Sequence, residues 1–377
     1  MPETSSSHLT RVYIHLDRLA HNLRLLQELA GNRPLWPAIK ANAYGHGLVP
    51  VARHLAGLGY DRLCVAHVGE AAALRAAGIH SRILLLSATL PENAAAIVQH
   101  GCEAAVCTRE MLAALATAGQ QQDRQVDLHL MVDTGMGRVG IRPDQVAGFL
   151  DDCNRHPTLR MRGIMSHFPC ADAADKCISE QGLERFRQAL DATGNHGIEW
   201  RHMANSAAIL DLPTAHFDAV RPGIAIYGLR PSSEILNPRV GELQPVLEWK
   251  TRISFLKEVP AGTGLSYGHS YHTKGPALIA TVPVGYGDGL NRSLSNQMDM
   301  LVHGLRCPQV GRITMDQSLI DVSALRGQVA LGDEAVILGR QGDDELTADE
   351  MAARLGTINY EIVTAIAARV PRVTVGG

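Results

Sequence analysis

The chain has 377 residues, of which 46% are hydrophobic, and this is enough to form one large core or two domains. Its 35 basic and 38 acidic residues are interspersed and give a net charge of −3, which argues against a nucleic-acid-binding surface. No apolar run approaches the ~20 residues of a membrane span and no secretory signal is evident, so we expect a cytoplasmic protein without a membrane partner. Its seven cysteines are scattered without CxxC spacing, so we expect neither a disulfide framework nor a metal site.

Short apolar runs alternate with longer amphipathic or alanine-rich stretches between residues 14 and 235. The stretches between the runs have the pattern of helices, as in 68–78 and 178–194. Apolar strands joined by helices indicate a parallel sheet, and eight such units in roughly 220 residues predict an α/β fold of the (β/α)8 TIM-type barrel kind. A doubly wound open sheet has the same periodicity and is the structural alternative. The runs are 35–40, 62–67, 83–88, 102–107, 126–134, 162–167, 199–205 and 219–228.

The pattern changes after residues 231–242, which are rich in Pro, Ser, Asn and Gly and are interpreted as a linker. Beyond them, short strand-like runs are separated by turn residues, and one helical stretch, LTADEMAARLGT, comes late. We therefore predict a barrel over 12–235 and a mostly β C-terminal domain over 243–377, with the first ~10 residues as a candidate addition to the β domain.

Polar residues cluster at the predicted ends of the barrel strands, where barrels carry their working face. Only five basic residues are lysines, and Lys40 alone ends a clear apolar strand. Loops after the last two strands of such barrels often bind phosphate, and here Ser206 offers a hydroxyl and Gly223 a backbone N–H. A lysine together with a phosphate cradle points to pyridoxal 5'-phosphate (PLP) held through an amine. The other polar residues at this face are Asp133, Arg138, Ser166, His167, Asn205 and Arg221.

Each of these residues also has an ordinary structural interpretation. Lys40 can be an ion-paired lysine, His167 a structural histidine and Asn205 a helix N-cap. In the second domain, Tyr267 can be an acid or base if its phenol is tuned, or simply an aromatic residue of a turn. The functional interpretation depends on the barrel residues falling together at one predicted face.

A series of motifs resembles those of the alanine racemases and covers nearly the whole chain in the same order. The motifs are PAIKANAYGHG, DTGMGRVG, MSHF, ANSAA, RPGIAIYG, LSYG, GYGDG, GRITMDQ and INYEIV. The resemblance implies a PLP-binding barrel followed by a β domain, and a head-to-tail homodimer in which each active site is completed by the partner's β domain. It also implies interconversion of L- and D-alanine, which supplies D-alanine for peptidoglycan.

The same resemblance implies roles for individual residues. Lys40 binds PLP and acts as one base, while Tyr267 from the partner chain, hydrogen-bonded to His167, acts as the other on the opposite face of the substrate. Arg221 faces the pyridine nitrogen, which disfavours its protonation and limits transamination. The implied cofactor-binding set is Lys40, Tyr44, Arg138, His167, Asn205, Ser206, Arg221, Gly223, Ile224 and Tyr360. The implied substrate-binding set is Arg138, Tyr286, Met315 and Asp316, of which Met315 and Asp316 come from the partner chain and lie near the substrate carboxylate.

One position departs from the family pattern. Many members have a carbamylated lysine two residues before the Asp of DTGMGR, where it positions the following arginine, and this chain has Met131 there. A thioether can be neither carbamylated nor charged, so the support of Arg138 must differ. We therefore expect an altered arrangement at the phenolic side of the cofactor, with consequences for rate or substrate scope.

Three alternative functions are compatible with parts of the sequence. A serine or broad-specificity racemase on the same scaffold would differ in the pocket near Met315 and Tyr360. A related PLP-barrel decarboxylase is disfavoured by LSYG and GYGDG. A PLP-binding regulatory protein is disfavoured by the second domain with Tyr267, because single-domain barrels of that type lack it.

Overall fold

A computed structural model describes residues 8–194 and 196–376. The first seven residues, part of the candidate addition to the β domain, lie outside the described residues. The chain divides into two compact units. We call residues 19–43 and 48–244 the barrel unit, and residues 8–18, 44–47 and 245–376 the β unit.

The barrel unit contains a six-stranded parallel sheet whose strands follow one another in chain order. Each of the second to seventh predicted runs overlaps one strand, which confirms these strands, although the sixth begins three residues earlier than predicted. Most of these strands are buried on both faces, as the near-continuous apolar runs predict. The strands are Arg62–Val65, Arg82–Leu85, Cys102–Val106, Val126–Met131, Leu159–Met165 and Trp200–His202.

The first and eighth predicted runs close this sheet into a barrel without forming regular strands. Trp36 N–H donates to Val220 O, Ile39 N–H donates to Cys64 O, and Arg221 N–H donates to Ala204 O. Prolines at positions 37 and 222 lack an N–H and so interrupt the ladder. The prediction of a strand through 224–227 is wrong, because Ile224–Tyr227 is a 3-10 helix.

Helices follow the strands of the barrel unit, as expected of a (β/α)8 TIM-type barrel. Arg109–Gln121 shows why: Thr108 Oγ1 accepts the N–H of Met111 as an N-cap, and the helix buries Leu112 and Leu115 on one side. The right-handed α-helices between residues 16 and 211 are Leu16–Ala30, Leu48–Gly57, Val68–Ala76, Ala94–Gln99, Arg109–Gln121, Val146–Asn154, Cys177–Asp191 and Ser206–Asp211.

The β unit is mostly strand, as predicted, with two short helices, Ala348–Leu355 and Asn359–Thr364. Its largest sheet runs in the order Leu305–Pro308, Asp299–Val302, Glu334–Gln341, Leu247–Arg252, Arg11–His15 and Arg372–Val375, with Asp344–Leu346 paired to Glu334–Gln341. Smaller sheets comprise Ser318–Asp321, Ala277–Val282 and Phe255–Val259, and the pair Gly264–Leu265 and Tyr271–His272.

The N-terminal strand Arg11–His15 lies inside this sheet, next to its edge strand Arg372–Val375. It pairs in parallel with Arg372–Val375 and antiparallel with Leu247–Arg252. Val12 and Ile14 are fully buried, while the residues between them are partly exposed, which is the alternation of a half-buried strand. Residues up to 18 therefore belong to the β unit, whereas the sequence placed the start of the barrel at residue 12.

The segment 231–242, interpreted as a linker, is fixed to the barrel unit. Asp211 accepts the N–H groups of Leu236 and Asn237, and Arg239 forms an ion pair with Glu28.

Across the described residues, the structure has no helix that is both long enough and apolar enough to cross a bilayer.

Candidate active site

The backbone after Lys40 forms a left-handed turn. Ala41, Asn42, Ala43 and Tyr44 all have φ between 51° and 55°, a region that costs an L-residue roughly 1–2 kcal/mol. Four successive non-glycine residues in this conformation are unusual, and such strain persists only where the surroundings impose it. The turn therefore directs the Lys40 side chain in a way that an ordinary helix would not.

Glu70 holds this turn from the neighbouring βα loop. Its Oε1 accepts the N–H of Ala41 at 2.6 Å, and its Oε2 accepts the N–H groups of Ala66 and His67 at 2.8 and 3.2 Å. One carboxylate thus connects the end of the first barrel segment, at Lys40, to the start of the helix Val68–Ala76, which follows the strand Arg62–Val65. Charge-assisted bonds of this kind are among the stronger hydrogen bonds in proteins.

The pKa of the Lys40 amine is lowered from its ordinary value. Burial is the main cause, followed by the positive charge of Arg138, with Arg221 adding to the effect. The negative charge of Glu70 opposes the shift. Arg138 and Arg221 are thus close enough to act on Lys40, and this environment disfavours the charged amine.

Arg221 and His167 share this environment. Arg221 is 5% exposed, and burial lowers its pKa to about 10. Burial and the charges of Arg221, Lys40 and Arg138 lower the pKa of His167 to about 3, so its imidazole is neutral. The structure therefore brings four of the predicted residues together at one end of the barrel unit.

Ser206 joins the loops after the last two barrel segments. Its Oγ accepts the N–H of Gly223 at 2.8 Å and that of Ala225 at 3.3 Å. The Gly223 N–H that we expected to face a phosphate is therefore engaged with Ser206, whose O–H remains available as a donor. Asn205 acts as the N-cap of Ser206–Asp211 through its contact with the Ala208 N–H, and Ile224 begins the following 3-10 helix.

Arg138 lies exposed on the glycine-rich loop after the strand Val126–Met131. Asp133 Oδ1 shapes this loop by accepting the N–H groups of Gly135 and Gly137 at 2.9 and 3.1 Å. Met131, at the end of the strand, is 5% exposed. It packs in an apolar cluster with Ala105, Met165, Leu86, Cys107 and Val139.

In the β unit, Tyr44 lies beside Tyr360, with ring centroids 6.2 Å apart. Gly45 follows Tyr44 at φ 83°, and a Cβ there would lie 2.0 Å from Val363 O, so the chain needs glycine at this close approach. Tyr267 begins a short 3-10 turn after Ser266 and is 70% exposed.

Tyr286, Met315 and Asp316 meet in a second part of the β unit. Tyr286 N–H donates to Thr314 O, and Gly287 N–H donates to Met315 O at 2.8 Å. Arg369 forms ion pairs with Asp316 and Asp288 at 2.7 and 2.8 Å. Tyr286 and Met315 keep exposed side chains, at 42% and 53%.

Several residues that organise these groups have no signal in the sequence. Glu70 and Arg369 are single charged residues in loops or helices and carry no pattern of their own. Glu103, His129 and His202 lie within strand segments, where a lone polar residue has no distinguishing signal. In the part of the chain that the structure describes, no cluster of three His, Cys, Asp or Glu side chains can hold a metal.

Comparison with known proteins agrees with the geometry over both units. The N-terminal domain model of alanine racemase matches residues 14–231, and its C-terminal domain model matches residues 246–374. The chain belongs to the alanine racemase family. It is 44% identical over 365 residues to an alanine racemase of Desulfovibrio desulfuricans, covering 96% of this chain and 97% of that protein. It is 42% identical to an alanine racemase of Halothermothrix orenii, covering 95% of each.

Solved structures of alanine racemases share the fold. The enzyme from Streptomyces lavendulae has a TM-score of 0.92 and 37% identity, covering 99% of this chain and 98% of that one. The Bacillus anthracis alanine racemase with bound L-Ala-P has a TM-score of 0.92 and 37% identity, covering 98% and 96%. These likenesses confirm the predicted fold class of barrel and β domain.

Pyridoxal phosphate is the cofactor of this family, and the donor set of the barrel unit fits it. The structure supplies an amine of lowered pKa in Lys40, a buried guanidinium in Arg221 and a free hydroxyl donor in Ser206. These groups match an aldehyde, a pyridine ring and a phosphate, respectively.

Proposed function

We propose that the protein interconverts L- and D-alanine, with Lys40 and Tyr267 as the two bases. The observation that carries this proposal is the half-buried amine of Lys40, whose pKa is lowered by desolvation and by the charge of Arg138. A lysine must be neutral to accept a proton, so this environment supports a base at neutral pH. The relatives named alanine racemase support alanine as the substrate.

The proposed mechanism uses groups on two sides of the substrate. When bound, PLP withdraws electrons from the amino acid's Cα, which makes its proton removable. Lys40 accepts that proton on one face, and the phenol of Tyr267 donates one on the other, which inverts the configuration. Arg221, held charged, opposes protonation of the ring nitrogen. Ser206 with the start of the Ile224 helix binds phosphate, and Tyr44 and Tyr360 complete that set.

We further propose that Arg138, Tyr286, Met315 and Asp316 bind the substrate. Arg138 is exposed on its loop, which makes its guanidinium available to a carboxylate. His167 and Asn205 act in our proposal as supports of the cofactor site. The protein would work in the cytoplasm and supply D-alanine for peptidoglycan.

Exchange in deuterated water tests the proposed reaction directly. We expect the PLP-loaded protein to replace the α-proton of L-alanine by deuterium and to form D-alanine, faster than it acts on L-serine. Lys40→Ala should lose both activities by about a thousandfold or more, because it removes a base and the cofactor anchor. NMR and chiral chromatography measure the two products. Equal or faster exchange with serine would overturn alanine as the preferred substrate.

We also propose a head-to-tail homodimer in which Tyr267 of the partner subunit completes each site. The 70% exposure of Tyr267 within its own chain is consistent with such a role. Complementation tests it: Lys40→Ala and Tyr267→Phe are each expected to be inactive. After the two are mixed and allowed to re-pair, about a quarter of wild-type activity should return, since half of the dimers then hold one intact site of two. No recovery in a mixture shown to contain heterodimers would contradict the shared site.

A further inference from the structure

A chain of four buried side chains leads from Arg221 into the barrel unit, and its three inner members have no role in the proposed reaction. Arg221 Nη1 lies 2.5 Å from His202 Nδ1, and His202 Nε2 lies 2.7 Å from His129 Nδ1. His129 Nε2 lies 2.9 Å from Glu103 Oε2. Each of the four residues is at most 5% exposed. The chain is thus continuous and shielded from water.

The donors and acceptors of this chain follow from elementary chemistry. A charged guanidinium can only donate, so His202 Nδ1 must accept and cannot carry a proton. Neutral His202 then carries its proton on Nε2 and donates to His129 Nδ1. His129 in turn carries its proton on Nε2 and donates to the Glu103 carboxylate. All three hydrogen bonds therefore point from Arg221 towards Glu103.

Glu103 is held as an anion at the far end. Its Oε1 accepts from Arg62 at 3.2 Å and from Arg82 at 2.5 Å. Burial acts to raise the pKa of Glu103, but the hydrogen bond from His129 and the charges of Arg62 and Arg82 outweigh it and hold the pKa at about 2. The chain therefore has a fixed cation at one end and a fixed anion at the other.

This row of hydrogen-bonded side chains, from Arg221 to Glu103, does not serve as a path for protons. Transfer along it would break one N–H bond of Arg221, move one proton from Nε2 of each imidazole, and form an O–H bond on Glu103. Burial lowers the pKa of Arg221 only to about 10, and hydrogen bonding and nearby charge hold that of Glu103 at about 2, so both groups keep their charges and the transfer is unfavourable. Both imidazoles are also disfavoured as cations, because burial lowers the pKa of each. The charges stay at the two ends.

We propose that His202, His129 and Glu103 are positioning residues that fix the orientation and the positive charge of Arg221. Arg221 is held from a second side as well, because its Nη2 donates to Ser166 O at 2.7 Å and Met203 O at 3.3 Å. The inference rests on the proposed function, in which Arg221 faces the cofactor's ring nitrogen. A guanidinium fixed in this way gives no proton to that nitrogen, which restrains transamination in favour of racemisation.

The protonation pattern can be measured without any activity. In protein labelled with 15N-histidine, His202 and His129 should both show a protonated Nε2 and an unprotonated Nδ1. The pattern should hold at neutral and mildly alkaline pH, since burial disfavours the protonated form of both rings. Signals are assigned by their loss in His202→Asn and His129→Gln. A protonated Nδ1 on either ring, or a titration in this range, would overturn the inference.

The functional consequence needs a matched pair of variants. Glu103→Gln removes the anion at the end of the chain, so we expect pyruvate formed per racemisation event to rise by about tenfold, with an altered pH dependence of the bound cofactor's absorption. Asp127→Asn is the control, because Asp127 pairs with Arg82 and Arg160 but not with the histidines. It should lose comparable stability and keep the wild-type pyruvate ratio and absorption.

The outcomes separate this inference from the proposed function. If the wild-type protein forms no D-alanine, the proposed function fails, and the 15N pattern still decides whether the chain is ordered as described. If the wild type racemises alanine and Glu103→Gln keeps its pyruvate ratio and spectrum, the positioning role is wrong. If Glu103→Gln does not fold, His202→Asn is tested in its place. The Asn side chain offers Arg221 an acceptor at the position of the imidazole Nδ1 but does not reach His129. This variant should also raise the amount of pyruvate formed per racemisation event.

Discussion

Met131 lies in an apolar cluster of the barrel unit. The side chain is buried among Ala105, Met165 and partly buried apolar residues. We predict that Met131→Lys lowers the free energy of unfolding by about 2–4 kcal/mol, because it places an amine in an apolar cluster without a partner. Urea denaturation measures the change.

The control for this prediction is Met131→Leu, which keeps the volume and apolar character. It should cost less than about 1.5 kcal/mol and leave the alanine exchange rate within about twofold. If Met131→Lys were as stable as wild type, with or without added bicarbonate, the cluster would not be specific for an apolar side chain.

At the level of residues, the sequence predicts those site residues that belong to motifs or lie at the ends of predicted strands. Lys40, His167 and Arg221 are predicted at one face, and in the structure Arg221 lies close enough to both other residues to lower their pKa values. Glu70 and Glu103 were not predicted, because their partners are far away in sequence: Glu70 bonds to Ala41, and Glu103 bonds to His129. Such partnerships arise from strand order in the barrel and leave no local pattern.

The left-handed turn after Lys40 makes a prediction about an element. Ala41 is exposed and has φ 52°, where glycine avoids the Cβ penalty. Ala41→Gly should therefore stabilise the protein by roughly 0.5–1 kcal/mol, although it loosens the segment that holds Lys40. We expect the exchange rate with alanine to fall while thermal stability rises.

Ala113→Gly provides the matched control for this turn. Ala113 is exposed within the right-handed helix Arg109–Gln121, where glycine costs roughly 1 kcal/mol. The two substitutions are chemically the same and should have opposite signs in a thermal unfolding measurement. If Ala41→Gly destabilised as much as Ala113→Gly, the turn would not be strained.

The same turn marks the limit of prediction at this scale. Apolar runs gave the six inner strands correctly, because buried parallel strands are continuous in sequence. They did not distinguish the first and eighth segments, whose prolines replace regular ladders by isolated bridges. The left-handed turn and the 3-10 helix Ile224–Tyr227 depend on tertiary contacts such as the Glu70 and Ser206 bonds, which override local preference.

For the whole molecule, buried neutral histidines make stability depend on pH. Burial lowers the pKa values of His129 and His202, and burial with nearby positive charges lowers that of His167 to about 3. The unfolded chain takes up protons near the ordinary pKa of 6.5 while the folded protein does not, so stability is complete above pH 6.5 and is lost as pH falls below it. His129 and His202 together contribute a slope of at most about 2.7 kcal/mol per pH unit.

Glu103 adds a second window at lower pH. Its folded pKa of about 2 lies below the ordinary 4.5, so its stabilisation is complete above pH 4.5 and disappears as pH falls towards 2. We therefore expect the urea midpoint to be constant from pH 8 to about pH 6.5, to fall between about pH 6.5 and 4.5, and to fall more steeply below. His167→Gln should reduce the first loss, because one histidine that must stay neutral is removed, whereas the exposed His80→Gln should not change it. A midpoint that stays constant down to pH 5 in the wild type would contradict the burial of neutral histidines in the barrel.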